Sequence, residues 1–214
     1  MESILVFGAG GHVKVVIDII EKLGTFKIEG IVDKKKSTEP FLTYPVIGED
    51  EIVALNVKKG LVAILDNWSR AKTVNHIKEL IPDFAFIKAI HPSAEIAAHI
   101  EIGDGTVVMP GVVINSGVHI GQHCIVNTRA AIDHDCTLKD FSSVSAGAIL
   151  GGQVTVGTNA SVSMGAILMP GTGVGDHSEI GAGSVVVKTI PDNVLAFGTP
   201  CKVVRMREPG RSYA

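Results

Sequence analysis

Two sets of residues carry chemistry by their type and spacing. Gly8-Ala9-Gly10-Gly11 follows the strand-like run 3–7 and precedes Val13, Val16, Ile17 and Ile20 at helical spacing. A glycine turn between strand and helix lets backbone N–H groups approach an anion at the positive end of the helix. Asp33 ends a second apolar run, 28–32, where such a unit places an acid that accepts from a ribose or base. Together they point to a nucleotide, and the shortness of the unit points to a nucleotide-sugar rather than a dinucleotide. Val13 stands where a dinucleotide fingerprint has its third glycine, so plain turn geometry is the competing explanation of the glycines. For Asp33 the competing explanation is a surface acid ahead of Lys34-Lys35-Lys36. The second set is histidine: His99, His119, His123 and His134 fall in one stretch and are candidate metal ligands. Cys124, Cys136 and Cys201 form no C-x-x-C pair, which indicates neither a thiolate zinc site nor a disulfide framework.

Stepping six residues at a time from Ile96 reaches Ile102, Val108, Ile114, Ile120, Val126, Ile132, Leu138, Val144, Leu150, Val156, Val162, Leu168, Val174, Ile180 and Val186, all Ile, Leu or Val. The fourth residue after each is mostly small or β-branched, as at Val112, Cys124, Ala130, Ala148, Ala160 and Ala166, which makes a second inward column. A period of six fits short strands joined by tight corners. Gly103, Gly121, Gly157 and Gly175 lie eighteen residues apart with one vacancy at Lys139, so three hexapeptides close one triangular coil. The expectation is a parallel β-helix of about five coils, roughly 25 Å long at ~4.8 Å per rung. A core built from one repeated aliphatic choice explains why only 5% of residues are aromatic.

The first ninety residues change period. Strand, glycine turn and helix are followed by strands at 28–32 and 61–65 and a helix from Trp68 to Leu80, capped by Asp66 or Asn67. Alternating strands and helices predict a small Rossmann-like parallel α/β sheet in residues 1–90, ahead of the β-helix in 91–214. With 214 residues, 46% of them apolar, a net charge of −3 and no apolar run of spanning length, the chain reads as soluble and cytoplasmic. It lacks the basic face expected of a nucleic-acid partner.

The hexapeptide pattern resembles the left-handed β-helix of the hexapeptide-repeat acyltransferases, and left-handedness is implied by that resemblance. A more specific set is Gly8–Val16, His91-Pro92-Ser93-Ala94, Asn127-Thr128, His134-Asp135-Cys136 and Phe197-Gly198-Thr199-Pro200-Cys201-Lys202. In this order the motifs resemble the bacterial sialic acid O-acetyltransferases and nucleotide-aminosugar N-acetyltransferases of the bacillosamine and perosamine type. The resemblance implies acetyl-CoA as donor, a UDP- or GDP-linked 4-amino-4,6-dideoxy sugar as acceptor, and a homotrimer with active sites between neighbouring prisms. It implies His134 as general base, Asp135 as its orienting acid, the Gly152 N–H as oxyanion donor and Asn127 beside the acceptor. Ser143 stands where several members carry a second histidine. Gly8, Gly10, Gly11, His12, Lys14, Asp33, Asp66 and Asn67 would surround the nucleotide-sugar. Gly152, Ala160, Ala166, Gly198, Pro200 and Lys202 would lie along CoA, and no metal is implied.

Other readings of the same prism remain. A sugar or sialic acid O-acetyltransferase would use the same base. The γ-class carbonic anhydrases hold zinc by three histidines across a trimer interface, but they have no use for a glycine-turn α/β unit. A third reading makes the prism a scaffold for a nucleotide-binding module without catalysis.

Overall fold

The computed structural model describes residues 1–34 and 37–210; Lys35 and Lys36 of the lysine run lie outside the described residues. The N-terminal unit runs β1 (Glu2–Phe7), α1 (Gly11–Leu23), β2 (Phe26–Val32), β3 (Val46–Ile47), α2 (Glu49–Leu55), β4 (Lys59–Val62), α3 (Asn67–Leu80) and β5 (Ala85–Phe86). Its five strands are all parallel, in the order β3-β2-β1-β4-β5. The connection reverses direction around β1, which opens a crevice beyond the carboxyl ends of β1 and β4, where ligands of open α/β sheets bind. Val13, Val16, Ile17 and Ile20 of α1 pack with Ile4 and Val6 on one sheet face. Ile52 of α2 and Val74 and Ile77 of α3 pack with Leu5, Phe7 and Val62 on the other. Gly24 ends α1 in the left-handed region, and the Asp66 carboxylate caps α3 by accepting from Ser69 N at 2.8 Å.

Residues from Ala89 onward form the prism, a left-handed parallel β-helix. Its first rung, Ala89–Ile90, precedes the expected boundary after residue 90 because it already pairs with Val107–Val108. The two-residue strands pair in register with those eighteen residues later, as Ile114 with Ile132 and Leu138 with Val156, and only the last coil shortens this step, Ile180 pairing with Ala196. The six-residue column is buried from Val108 to Val186, with Ile96 and Ile102 half-buried on the first coil. From His99 to Gly183 each corner holds one residue at positive φ. One edge stacks His99, Gly117, Asp135, Gln153 and Gly171; a second Gly105, His123, Phe141, Asn159 and His177; the third Gly111, Arg129, Gly147, Gly165 and Gly183. The glycine rhythm of the sequence has a steric cause: a Cβ on Gly103 would lie 2.5 Å from the Gly121 backbone of the next coil.

The three faces differ in what their outward residues meet. The face carrying Val107, Ile125, Ser143 and Ser161 is buried, and α1 packs against its first rung. The next face exposes Val113, Ile149 and Ile167. The third is polar, with Glu101, His119, Thr137 and Thr155 outward. The chain ends in an antiparallel hairpin, Val194–Gly198 with Cys201–Met206, on the edge of the covered face.

Candidate active site

His134 and Asp135 occupy the corner between the aliphatic and polar faces, and both side chains are more than half exposed. The imidazole Nδ1 lies 2.8 Å from Asp135 Oδ2, so Nδ1–H donates to the carboxylate and Nε2 is left as the basic nitrogen. The Asp135 hydrogen bond, followed by the charge of Asp133, raises the His134 pKa above its ordinary value. Asp133 is itself fixed, accepting from Asn115 Nδ2 and from the His134 N–H. The ring lies over Gly152 of the next coil: a Cβ there would stand 2.6 Å from Nε2 and 2.7 Å from Cε1. Gly152 is therefore glycine because the imidazole needs the space. Its N–H has no hydrogen-bond partner among the described residues, which leaves a free backbone donor on the residue that the ring covers. On the coil below, a Cβ at Gly117 would strike Asp135 Oδ1, so the dyad rests between two glycines.

The other expected residues distribute over the prism edges. Asn127 lies at the corner on the far side of strand Ala131–Ile132 from His134, its Oδ1 accepting from Thr128 N at 2.7 Å. Ser143 is 4% exposed on the covered face, paired with Ser161, and does not share a corner with His134 in one chain. Gly198, Pro200 and Lys202 form the turn and start of the C-terminal hairpin, with Pro200 and Lys202 exposed. Ala160 and Ala166 are fully buried in the second inward column, their methyl groups filling the prism core. The exposed residues of that stretch, Met164 and Gly165, are at the corner.

In the N-terminal unit a cavity of about 660 Å³ opens at the carboxyl end of the sheet. Gly8, Asp33 and Lys34 line one side, and Ser69, Lys72, Thr73 and His76 of α3 the other. Glu49 of α2, also in the lining, pairs with His76. The positive φ of Gly8 (+107°) strains any side chain there, and a Cβ would stand a tight 3.1 Å from Ile64, whereas Gly10 and Gly11 have open space around them at the start of α1. Lys14 is exposed on α1, and His12 is half-buried with its pKa pushed down to about 4 by burial and by the nearby charge of Arg70. Asp66 serves as the α3 cap. Asn67 does not face the cavity surface: it is 3% exposed, and its Nδ2 donates to Ala160 O at 3.0 Å and Asn159 O at 3.3 Å in the prism. A short polar side chain at the start of a helix reads as a cap or ligand, and only the packing shows it crossing between domains.

The four histidines offered as metal ligands are dispersed. His123 is 1% exposed, stacked on Phe141 at 5.0 Å and met edge-on by Phe86, with burial pushing its pKa down to about 4. His119 pairs with Glu101 on the polar face, and His99 is exposed at the first coil. Among the described residues no three His, Cys, Asp or Glu side chains of one chain are placed to hold a metal ion.

Residues 3–77 match the PglD N-terminal domain. The chain is 35% identical to a histidine-to-asparagine variant of perosamine N-acetyltransferase from Caulobacter crescentus, solved with CoA and GDP-perosamine. The match covers 96% of this chain and 98% of that one, with a TM-score of 0.90. The chain belongs to the hexapeptide-repeat nucleotide-aminosugar N-acetyltransferases. The acetyltransferase domain of PglB from Neisseria gonorrhoeae, solved with acetyl coenzyme A, is 33% identical over 95% of this chain and 99% of that one, with a TM-score of 0.88. WeeI from Acinetobacter baumannii, at 21% identity and a TM-score of 0.79, shares the fold. No curated protein matches the chain.

Proposed function

We propose that this acetyltransferase moves the acetyl group of acetyl-CoA to the 4-amino group of a nucleotide-linked 4-amino-4,6-dideoxy sugar. The observation that carries the mechanism is the His134–Asp135 dyad seated over Gly152. The neutral amine attacks the thioester carbonyl carbon; Nε2 of His134 takes the proton lost by the nitrogen, and Asp135 steadies the imidazolium through Nδ1–H. The Gly152 N–H donates to the oxyanion of the tetrahedral intermediate. Collapse breaks the C–S bond, and the proton passes from His134 to the departing thiolate. The N-terminal cavity holds the nucleotide, with the phosphates toward the start of α1.

The site is completed by a second copy. His134 and Asn127 flank opposite edges of the face exposing Val113, Ile149 and Ile167. Three prisms closing through that face bring the His134 edge of one chain to the Asn127 edge of the next, a head-to-tail contact that closes into a ring. Release of CoA thiol from acetyl-CoA, assayed with UDP- and GDP-linked 4-amino-4,6-dideoxy sugars and with free sialic acid, tests the reading. Turnover with one nucleotide-sugar that vanishes in His134→Ala supports it. Turnover with sialic acid alone selects O-acetylation instead.

A further inference from the structure

Arg70 is on α3, 1% exposed and among the largest fully buried side chains. Its Nη1 donates to Ile64 O and Leu65 O, both at 2.9 Å, on the segment leaving β4. Its Nε donates to His123 O at 2.8 Å and its Nη2 to Phe141 O at 2.9 Å, carbonyls on successive coils of the prism. Nη2 also donates to Asn67 Oδ1 at 2.7 Å, and Asn67 carries the contact to a third coil through Asn159 O and Ala160 O. One planar fork thus spans both domains, a geometry that a single ammonium cannot reproduce. The segment it grips is functional ground: Ile64 lines the 660 Å³ cavity and stands 3.1 Å from where a Cβ on Gly8 would be.

We propose that Arg70 is a positioning residue for acetyl transfer: it fixes the wall of the N-terminal cavity to the prism edge of His123 and Phe141, and so sets where a bound acceptor presents its amine. It touches neither substrate. The inference rests on the reading of that cavity as the nucleotide-sugar site. Transfer between substrates held on different domains is sensitive to their mutual placement, since a displacement of ~1 Å can cost ~10²-fold in rate. Removing the guanidinium leaves four carbonyls and the Asn67 amide oxygen to find other donors, which loosens the seam.

The test compares Arg70→Lys, Arg70→Met and Asn67→Ala with wild type, with kcat expressed per folded site from circular dichroism and acetyl-CoA binding measured by calorimetry. The expected result is acetyl-CoA affinity within about twofold of wild type and a kcat lowered ~10–100-fold in both Arg70 variants. Lysine should give little rescue, and Asn67→Ala a smaller fall of at least fivefold. Should Arg70→Met not fold, Arg70→Lys and Asn67→Ala decide by the same criteria. A kcat within twofold of wild type in the folded variants overturns the proposal. So does a raised nucleotide-sugar KM with kcat intact, because Arg70 would then only shape the cavity. Failure of the underlying reading looks different, since wild type itself would neither bind nor acetylate a nucleotide-sugar.

Discussion

The dyad of His134 and Asp135 makes a statement about pH. Because the hydrogen bond to Asp135 and the charge of Asp133 favour the imidazolium, His134 stays protonated to a higher pH than an ordinary histidine. A base must be neutral to act, so activity should be lost as pH falls through that raised pKa. Asp135→Asn removes the leading cause, and the acid limb of the kcat/KM profile should move to lower pH while the maximum rate falls. An unmoved limb would assign it to another group. His134→Ala should lower kcat ~10²–10⁴-fold with the melting temperature nearly unchanged, as the ring is exposed and holds no core contact. Gly152→Ala is the steric counterpart: the new methyl would displace the imidazole and obstruct the N–H beside it. The prediction is a fall in kcat of at least tenfold with the fold intact, checked by turnover and circular dichroism together.

At the scale of elements, the prism was legible because its rule is local and repeated every six residues, and sixteen aliphatic positions obeyed it. Ile132→Asp places an unpaired carboxylate in that column and should abolish the folded prism, seen as loss of the thermal transition. The short elements β3, α2 and β5 were not legible, since two-residue strands and a seven-residue helix carry too few positions to show a period. Glycine turn, Asp33 and His134 could be found from residue type and resemblance. Arg70 and the crossing role of Asn67 could not, because an arginine on a polar helix reads as solvated until its prism partners, 53 and 71 residues away in sequence, are in place. The seam they share with His123 has its own signature. Its folded pKa of about 4 lies below the unfolded value of 6.5, so the neutral form is favoured in the fold. That stability is full above about pH 6.5 and is lost as pH falls toward 4, up to ~3 kcal/mol at 1.36 kcal/mol per pKa unit. His123→Phe keeps a ring against Phe141 and should flatten the decline in melting temperature between pH 6.5 and 4. His12, whose pKa is lowered to the same value, leaves a residual slope.

For the whole molecule, one prism face is closed by the N-terminal unit, one is polar, and one is left aliphatic. Val113, Ala131, Ile149 and Ile167 stand one above another on successive rungs, with Val113, Ile149 and Ile167 41%, 47% and 39% exposed, a continuous strip that a lone chain would leave in water. If that strip is where copies meet, its centre should control both assembly and activity. Ile149→Glu would introduce a charge at the middle of the strip and, by the three-fold closure, near its symmetry mates. The expected protein is a folded monomer by sedimentation, with the far-ultraviolet spectrum of wild type. Its binding of a nucleotide-sugar should persist, because the cavity of Gly8, Asp33 and α3 belongs to one chain. Its acetyl transfer should be lost, because the His134 edge no longer meets the Asn127 edge of a second copy. A monomer that still turns over at the wild-type rate would place the whole reaction within one chain. The aliphatic face would then need another partner.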